Sequence, residues 1–201
     1  LQITLRDAIT VVHGMLFGAV LLLMFTGAAV GLYASSASSS YWTPSSGQRR
    51  FFAVYLTVMA LLAWTVVLLG AYAIYPWYRA RLPAGPGGPG GPAGTLDLAA
   101  YPQRLLMSNP ATSGWHDIGM EWKEHIAWFA PISLTAVAYT FAHYGGDLRA
   151  HRPLRTAVLG LLALGFIAAG VAGFFGAMLN KYAPVRGGSN IVLMQGETHE
   201  R

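Results

Sequence analysis

Apolar residues run almost unbroken through four stretches of the chain, about residues 9–33, 51–76, 125–145 and 156–179. Each is long enough to cross the ~30 Å hydrocarbon layer of a bilayer as a helix. The pattern therefore predicts an all-α, polytopic membrane protein built as a bundle of four transmembrane helices. The polar stretches between them are unequal. A Ser-rich connector at 35–47 leads to Arg49 and Arg50, and Gly145–Gly146 stop the third stretch before a short arginine-bearing turn. Between the second and third stretches lies a much longer insert. It holds the aromatic anchor Tyr75, Trp77 and Tyr78, a Pro/Gly linker at about 82–94, and an interfacial segment at about 95–124 that breaks at Asn109–Pro110. The run at 115–131 begins as an interfacial helix and continues into the third span, with Pro131 a candidate kink.

Small residues recur at helical spacing inside the spans. Gly14/Gly18 and Gly27/Gly31 in the first, and Gly165, Ala169 and Gly173 in the fourth, predict places where a neighbouring helix approaches closely. No internal repeat stands out.

Composition narrows this picture. Only 10% of the 201 residues are charged, against about 25% in soluble domains, so one membrane domain over residues 1–201 is predicted, with no second globular domain. The first stretch is too long for a signal peptide and lacks a small-residue cleavage pattern, so it reads as a retained span. The tail from Asn180 reads as peripheral. The formal charge of +5 does not point to nucleic acid, because the arginines cluster beside the spans. Five of them, Arg49, Arg50, Arg149, Arg152 and Arg155, face a single acid, Asp147, in the two short loops. The opposite side carries eight basic and seven acidic residues over a greater length. Positive-inside logic puts the short loops in the cytoplasm and the termini and long loop outside, as in a bacterial inner membrane. The absence of cysteine excludes disulfides, thiol redox chemistry, cysteine-held iron–sulfur clusters and covalent haem attachment.

Three histidines lie in or at the edges of the spans, where a polar side chain usually has a function. His13 is about one turn inside the first span and His125 begins the third; both spans start on the same face, so the two imidazoles fall at similar depth. Two helices offering one imidazole each at equal depth suit the axial ligands of one b-type haem iron. The competing reading is that His13 hydrogen-bonds to a neighbouring helix and His125 is an interfacial residue among tryptophans. His143 is five turns beyond His125, ~27 Å along the axis. It could serve a second haem, but only with a partner such as His151, Met59 or a residue of another subunit. One haem is the expectation. Asp117, Glu121 and His125 recur at four-residue spacing, with His116 and Glu124 nearby. This stripe fails the Glu-x-x-His pattern of di-metal bundles, and Glu121 or Asp117 reads better as a partner that orients an imidazole or handles protons. Nucleotide-binding, nucleophile-elbow and zinc-protease motifs are absent.

With four helices and histidines near the bilayer edges, the chain resembles the small membrane cytochromes b that anchor respiratory dehydrogenases, or those of the cytochrome b561 type. The resemblance is architectural and covers the spans only. Such families often carry two haems on two histidine pairs, whereas this sequence supplies one pair, His13 and His125. The resemblance implies a haem b subunit that transfers electrons within a larger respiratory-type oxidoreductase, possibly to or from quinone, with other subunits and an extracytoplasmic redox protein as partners. A Trp115/Trp122/Trp128 belt would set the depth of the site and 95–124 would be the docking surface. The rival from another class is a cofactor-free subunit that holds a membrane complex together.

Overall fold

The computed structural model describes residues 2–36, 45–82 and 97–193. Most of the Ser-rich connector, the Pro/Gly linker beyond residue 82 and the first two residues of the interfacial segment lie outside the described residues. Four helices dominate: α1 (Leu5–Ser35), α2 (Ser46–Tyr78), α3 (Pro110–Tyr144) and α4 (Arg152–Tyr182), each 31–35 residues and each long and apolar enough to cross a membrane. Among the described residues the fold is all-α apart from two three-residue strands.

The helices overrun their apolar windows because polar caps set their ends. Thr4 and Asp7 form a reciprocal capping box that starts α1, and Ser45 and Gln48 form another that starts α2. Each such box satisfies backbone N–H groups that the first turn leaves without intrahelical acceptors. The largest difference from the hydropathy reading is at α3. Asn109 accepts from the Ala111 N–H at 2.9 Å with Pro110 next in the chain, so one helix runs from Pro110, ahead of the interfacial run expected from residue 115, through the apolar stretch that starts near 125. The preceding segment forms a short helix, Pro102–Met107.

The main core lies between all four helices. On α1, Leu21, Phe25, Ala28 and Leu32 recur every three or four residues and are buried against Leu56, Met59 and Ala63 of α2, Leu134, Val137 and Phe141 of α3, and Val158 and Leu162 of α4. Met59 is fully covered there. The pair Gly27/Gly31 behaves as its spacing suggests. A methyl at Gly27 would sit 2.6 Å from the Tyr55 hydroxyl, and one at Gly31 would fall inside the Phe52 ring. Tyr55 then donates to the Met24 carbonyl at 2.7 Å, closing α1 onto α2. Gly14 and Gly173, by contrast, have no neighbour within 4 Å of where a methyl would stand, so neither makes the close helix contact expected of it.

A second cluster, Tyr78, Leu106, Met120, Leu179, Ala183 and Val185, caps one end of the bundle. The first and last described segments of the chain meet at that same end. Strand β1 (Gln2–Thr4) pairs antiparallel with β2 (Asn190–Val192), Ile3 opposite Ile191, and the Leu5 and Arg6 amides continue the pairing to Ser189 and Gly187 carbonyls. The tail from Asn180 is therefore tied to the start of α1 through residue 192. The reversal between α4 and β2 needs glycine: Gly187 and Gly188 have φ of 118° and 84°, a region closed to most side chains. At the opposite end, Arg149 donates through Nε to the Ser35 carbonyl at 3.1 Å, and Gly146 lies against Arg49. Contacts at the two ends thus match a chain that runs back and forth four times.

Candidate functional site at the terminal end of the bundle

Three of the four long helices widen where they approach the end at which the first and last described segments meet. α1 is π-helical over Val12–Gly18, α2 over Gly70–Ile74, and α3 over Trp115–Met120 and again over Trp122–Ile126. Long helices seldom leave the α geometry without cause, and π turns gather at functional sites because the wider turn re-aims side chains. Nothing in hydropathy or residue spacing signals these segments. Two polar side chains, His13 and Lys123, are re-aimed here into the bundle.

His13 sits in the π segment of α1 with its ring against α2. A methyl at Gly70 would lie 3.1 Å from Cε1 and 3.5 Å from Nε2 of His13, so glycine there lets the imidazole lie flat against the neighbouring backbone. Among the described residues, the His13 Nδ1 atom is the buried side-chain nitrogen or oxygen that has no hydrogen-bond partner. Such an orphan costs roughly 1–3 kcal/mol in a folded protein unless something satisfies it.

Lys123 comes from α3. Its Nζ rests where a methyl of Gly176 would be, 2.8 Å from that position, so a second glycine makes room for a second polar group. The ammonium is also close enough to His13 for its charge to act on the ring. None of the carboxylates on α3 faces it. Glu121 lies 3.4 Å from His125 Nδ1, and Glu124 hydrogen-bonds with Tyr75. At the start of α1, Asp7 is engaged in the Thr4 cap.

The sequence-derived site residues are dispersed. His125 is only two residues from Lys123, a step of roughly 160–200° around a helix. With Lys123 turned inward toward His13 and Gly176, His125 points outward; its side chain is 69% exposed. Its Nδ1 is held by Glu121, through the backbone carbonyl at 3.1 Å and the carboxylate. The structure does not bring the His13 and His125 imidazoles together across a shared space. His143 is exposed as well, with Nδ1 3.0 Å from the Tyr139 carbonyl and its ring over Tyr139; neither His151 nor Met59 meets it. Asp117 acts at a distance on Tyr78. Among the described residues, no group of three or more His, Asp or Glu side chains converges as a metal site.

Around His13 and Lys123 the end of the bundle is polar and aromatic. The Tyr78 hydroxyl is 2.8 Å from His116 Nδ1, and Gln103 reaches the other ring nitrogen at 3.4 Å. Arg79 donates to the Tyr75 hydroxyl at 2.7 Å. The three tryptophans pack between helices: Trp122 donates to the Ala168 carbonyl of α4, Trp115 stacks on Tyr182, and Trp128 meets Trp64 edge-on. Lys123 and Gly70 are the site residues that sequence reasoning missed. Lys123 falls in the interfacial helix at 115–131 that leads into the third span, but neither hydropathy nor residue spacing gives the direction of its side chain. Compared with known protein families, curated proteins and solved structures, the chain finds no match.

Proposed function

We propose that this chain is an integral membrane subunit of a larger respiratory-type oxidoreductase, in which a redox group is held at His13 and electrons pass between that group and a partner protein. One observation carries the reading: a histidine inside an otherwise apolar bundle, in a π-helical turn, backed by a glycine, with a buried nitrogen that no protein group satisfies. A haem b could take His13 as one axial ligand. Its second ligand does not come from His125 of the same copy, whose ring is turned outward, so the bis-histidine pair does not fit inside one chain. A quinone asks less of the site, since it needs only hydrogen-bond donors near the edge of the hydrocarbon layer. The density of arginine in the short loops favours the His13 end facing out of the cytoplasm, as at a bacterial inner membrane, with the segment 97–124 on that face as the docking surface for an extracytoplasmic redox partner.

The cofactor-free scaffold is the second reading, favoured by glycines that seat aromatic rings of adjacent helices, Gly31 under Phe52 and Gly119 under Phe175. A dithionite-reduced minus oxidised spectrum of the purified chain, with an organic extract of the same sample, decides between them. A Soret shift, or a redox-active quinone in the extract, that disappears in His13→Ala supports the redox subunit. A folded protein with neither supports the scaffold.

A further inference from the structure

Lys123 poses a problem that the packing alone does not solve. An ammonium inside a membrane-crossing helix normally finds a counter-charge or a water-filled cavity, yet the carboxylates around it are turned to other partners. Glu121 is on His125, Glu124 on Tyr75, and Asp7 on Thr4. Nearby, the His13 Nδ1 is buried without a partner. Two helices give up side-chain volume to admit these groups, at Gly176 for the ammonium and Gly70 for the imidazole. Two glycine-backed polar groups from α1 and α3, lacking a shared partner, describe half of a binding site.

The depth of the site limits what can complete it. His13, Gly70 and Gly176 are six to eight residues from the ends of α1, α2 and α4 at Leu5, Tyr78 and Tyr182, which is roughly 9–12 Å along the axes. Helices of 31 residues are about 46 Å long, so one centred in a ~30 Å layer overhangs by about 8 Å at each end. The pair therefore sits a few ångströms beneath the hydrocarbon boundary, below lipid phosphates and at the level of a ring dissolved in the membrane. Rings of Trp115, Trp122 and Phe175 gather on the adjoining turns of α3 and α4. We infer that Lys123 and His13 bind the carbonyl oxygen of a quinone head group, the ammonium donating to the oxygen and the imidazole satisfying its orphaned nitrogen there. This assignment rests on the redox reading above and gives it a ligand class and a second residue.

The test is binding of decylubiquinone to the detergent-solubilised full chain, read by quenching of tryptophan fluorescence, for wild type, Lys123→Met, Lys123→Arg and, as a matched removal of charge elsewhere on the same end, Lys181→Met. Saturable binding is expected in wild type and Lys181→Met. Loss of one charge-assisted hydrogen bond should weaken Lys123→Met about tenfold or more, with Lys123→Arg between the two. Far-UV circular dichroism confirms that each variant is folded; should Lys123→Met fail to fold, Lys123→Gln takes its place. Wild type that does not bind, Lys123→Met that binds as tightly as wild type, or displacement of the quinone by phosphatidylglycerol with the same dependence on Lys123 would each overturn the assignment. A haem Soret band lost in His13→Ala would still uphold the redox reading in those cases, so the two fail separately.

Discussion

Substituting Gly31 by alanine should loosen the contact between α1 and α2, and the size of the effect follows from what the new methyl meets. It would fall within the Phe52 ring, so Phe52 has to turn away. That ring lies edge-to-face on Phe141, with centroids 4.9 Å apart at 87°, and stacks on Tyr55 at 5.8 Å. Forcing an extra carbon into a packed contact costs about 1–3 kcal/mol, and losing an aromatic pair adds about 0.5–1.5 kcal/mol. Alanine returns about 1 kcal/mol through its greater helix propensity. The net expectation is a loss of about 0.5–3.5 kcal/mol, read from SDS-driven unfolding in mixed micelles followed by far-UV circular dichroism. If the collision is with Phe52, removing that ring must relieve it, so Gly31→Ala with Phe52→Ala should fall short of the summed single losses by about 1 kcal/mol or more. Full additivity, or a Gly31→Ala protein as stable as wild type, would refute the packing argument.

Tyr55→Phe removes the bond to the Met24 carbonyl and should cost about 0.5–1.5 kcal/mol in the same unfolding assay. Tyr78→Phe leaves His116 Nδ1 without its 2.8 Å partner and should cost about 1–3 kcal/mol; the His116 ring resonances in a histidine-labelled NMR spectrum should move, and unchanged resonances would mean the contact is not made. Glu121→Gln, by contrast, alters a contact between two side chains that are each 69% exposed. Stability should change by no more than about 0.5 kcal/mol, and a larger loss would show that this face is covered by something other than lipid.

The four crossings were legible because nothing but a helix hides twenty apolar residues in lipid, and the glycines at 27 and 31 were legible because four-residue spacing puts them on one face. What escaped has physical causes. The start of α3 is set by an Asn–Pro cap, whereas hydropathy alone marks only the break at Asn109–Pro110 and the helical run from 115. Strands β1 and β2 are three residues each, too short for an alternating pattern to register. The π turns leave no trace in spacing rules built on 3.6 residues per turn, yet they decide which way His13 and Lys123 point. Chain direction bears on the depth of His13 and His125, but depth is one coordinate. Rotation about the helix axis is the other, and it turned His125 away while turning Lys123 in.

Native mass spectrometry of the detergent-released wild-type chain and of His13→Ala bears most directly on the central claim that His13 holds a redox group. Wild type should carry a bound mass that tandem dissociation identifies as a quinone or a haem b, and His13→Ala should lack it. A wild-type chain that flies with lipid alone, or a redox group retained undiminished by His13→Ala, would contradict the account.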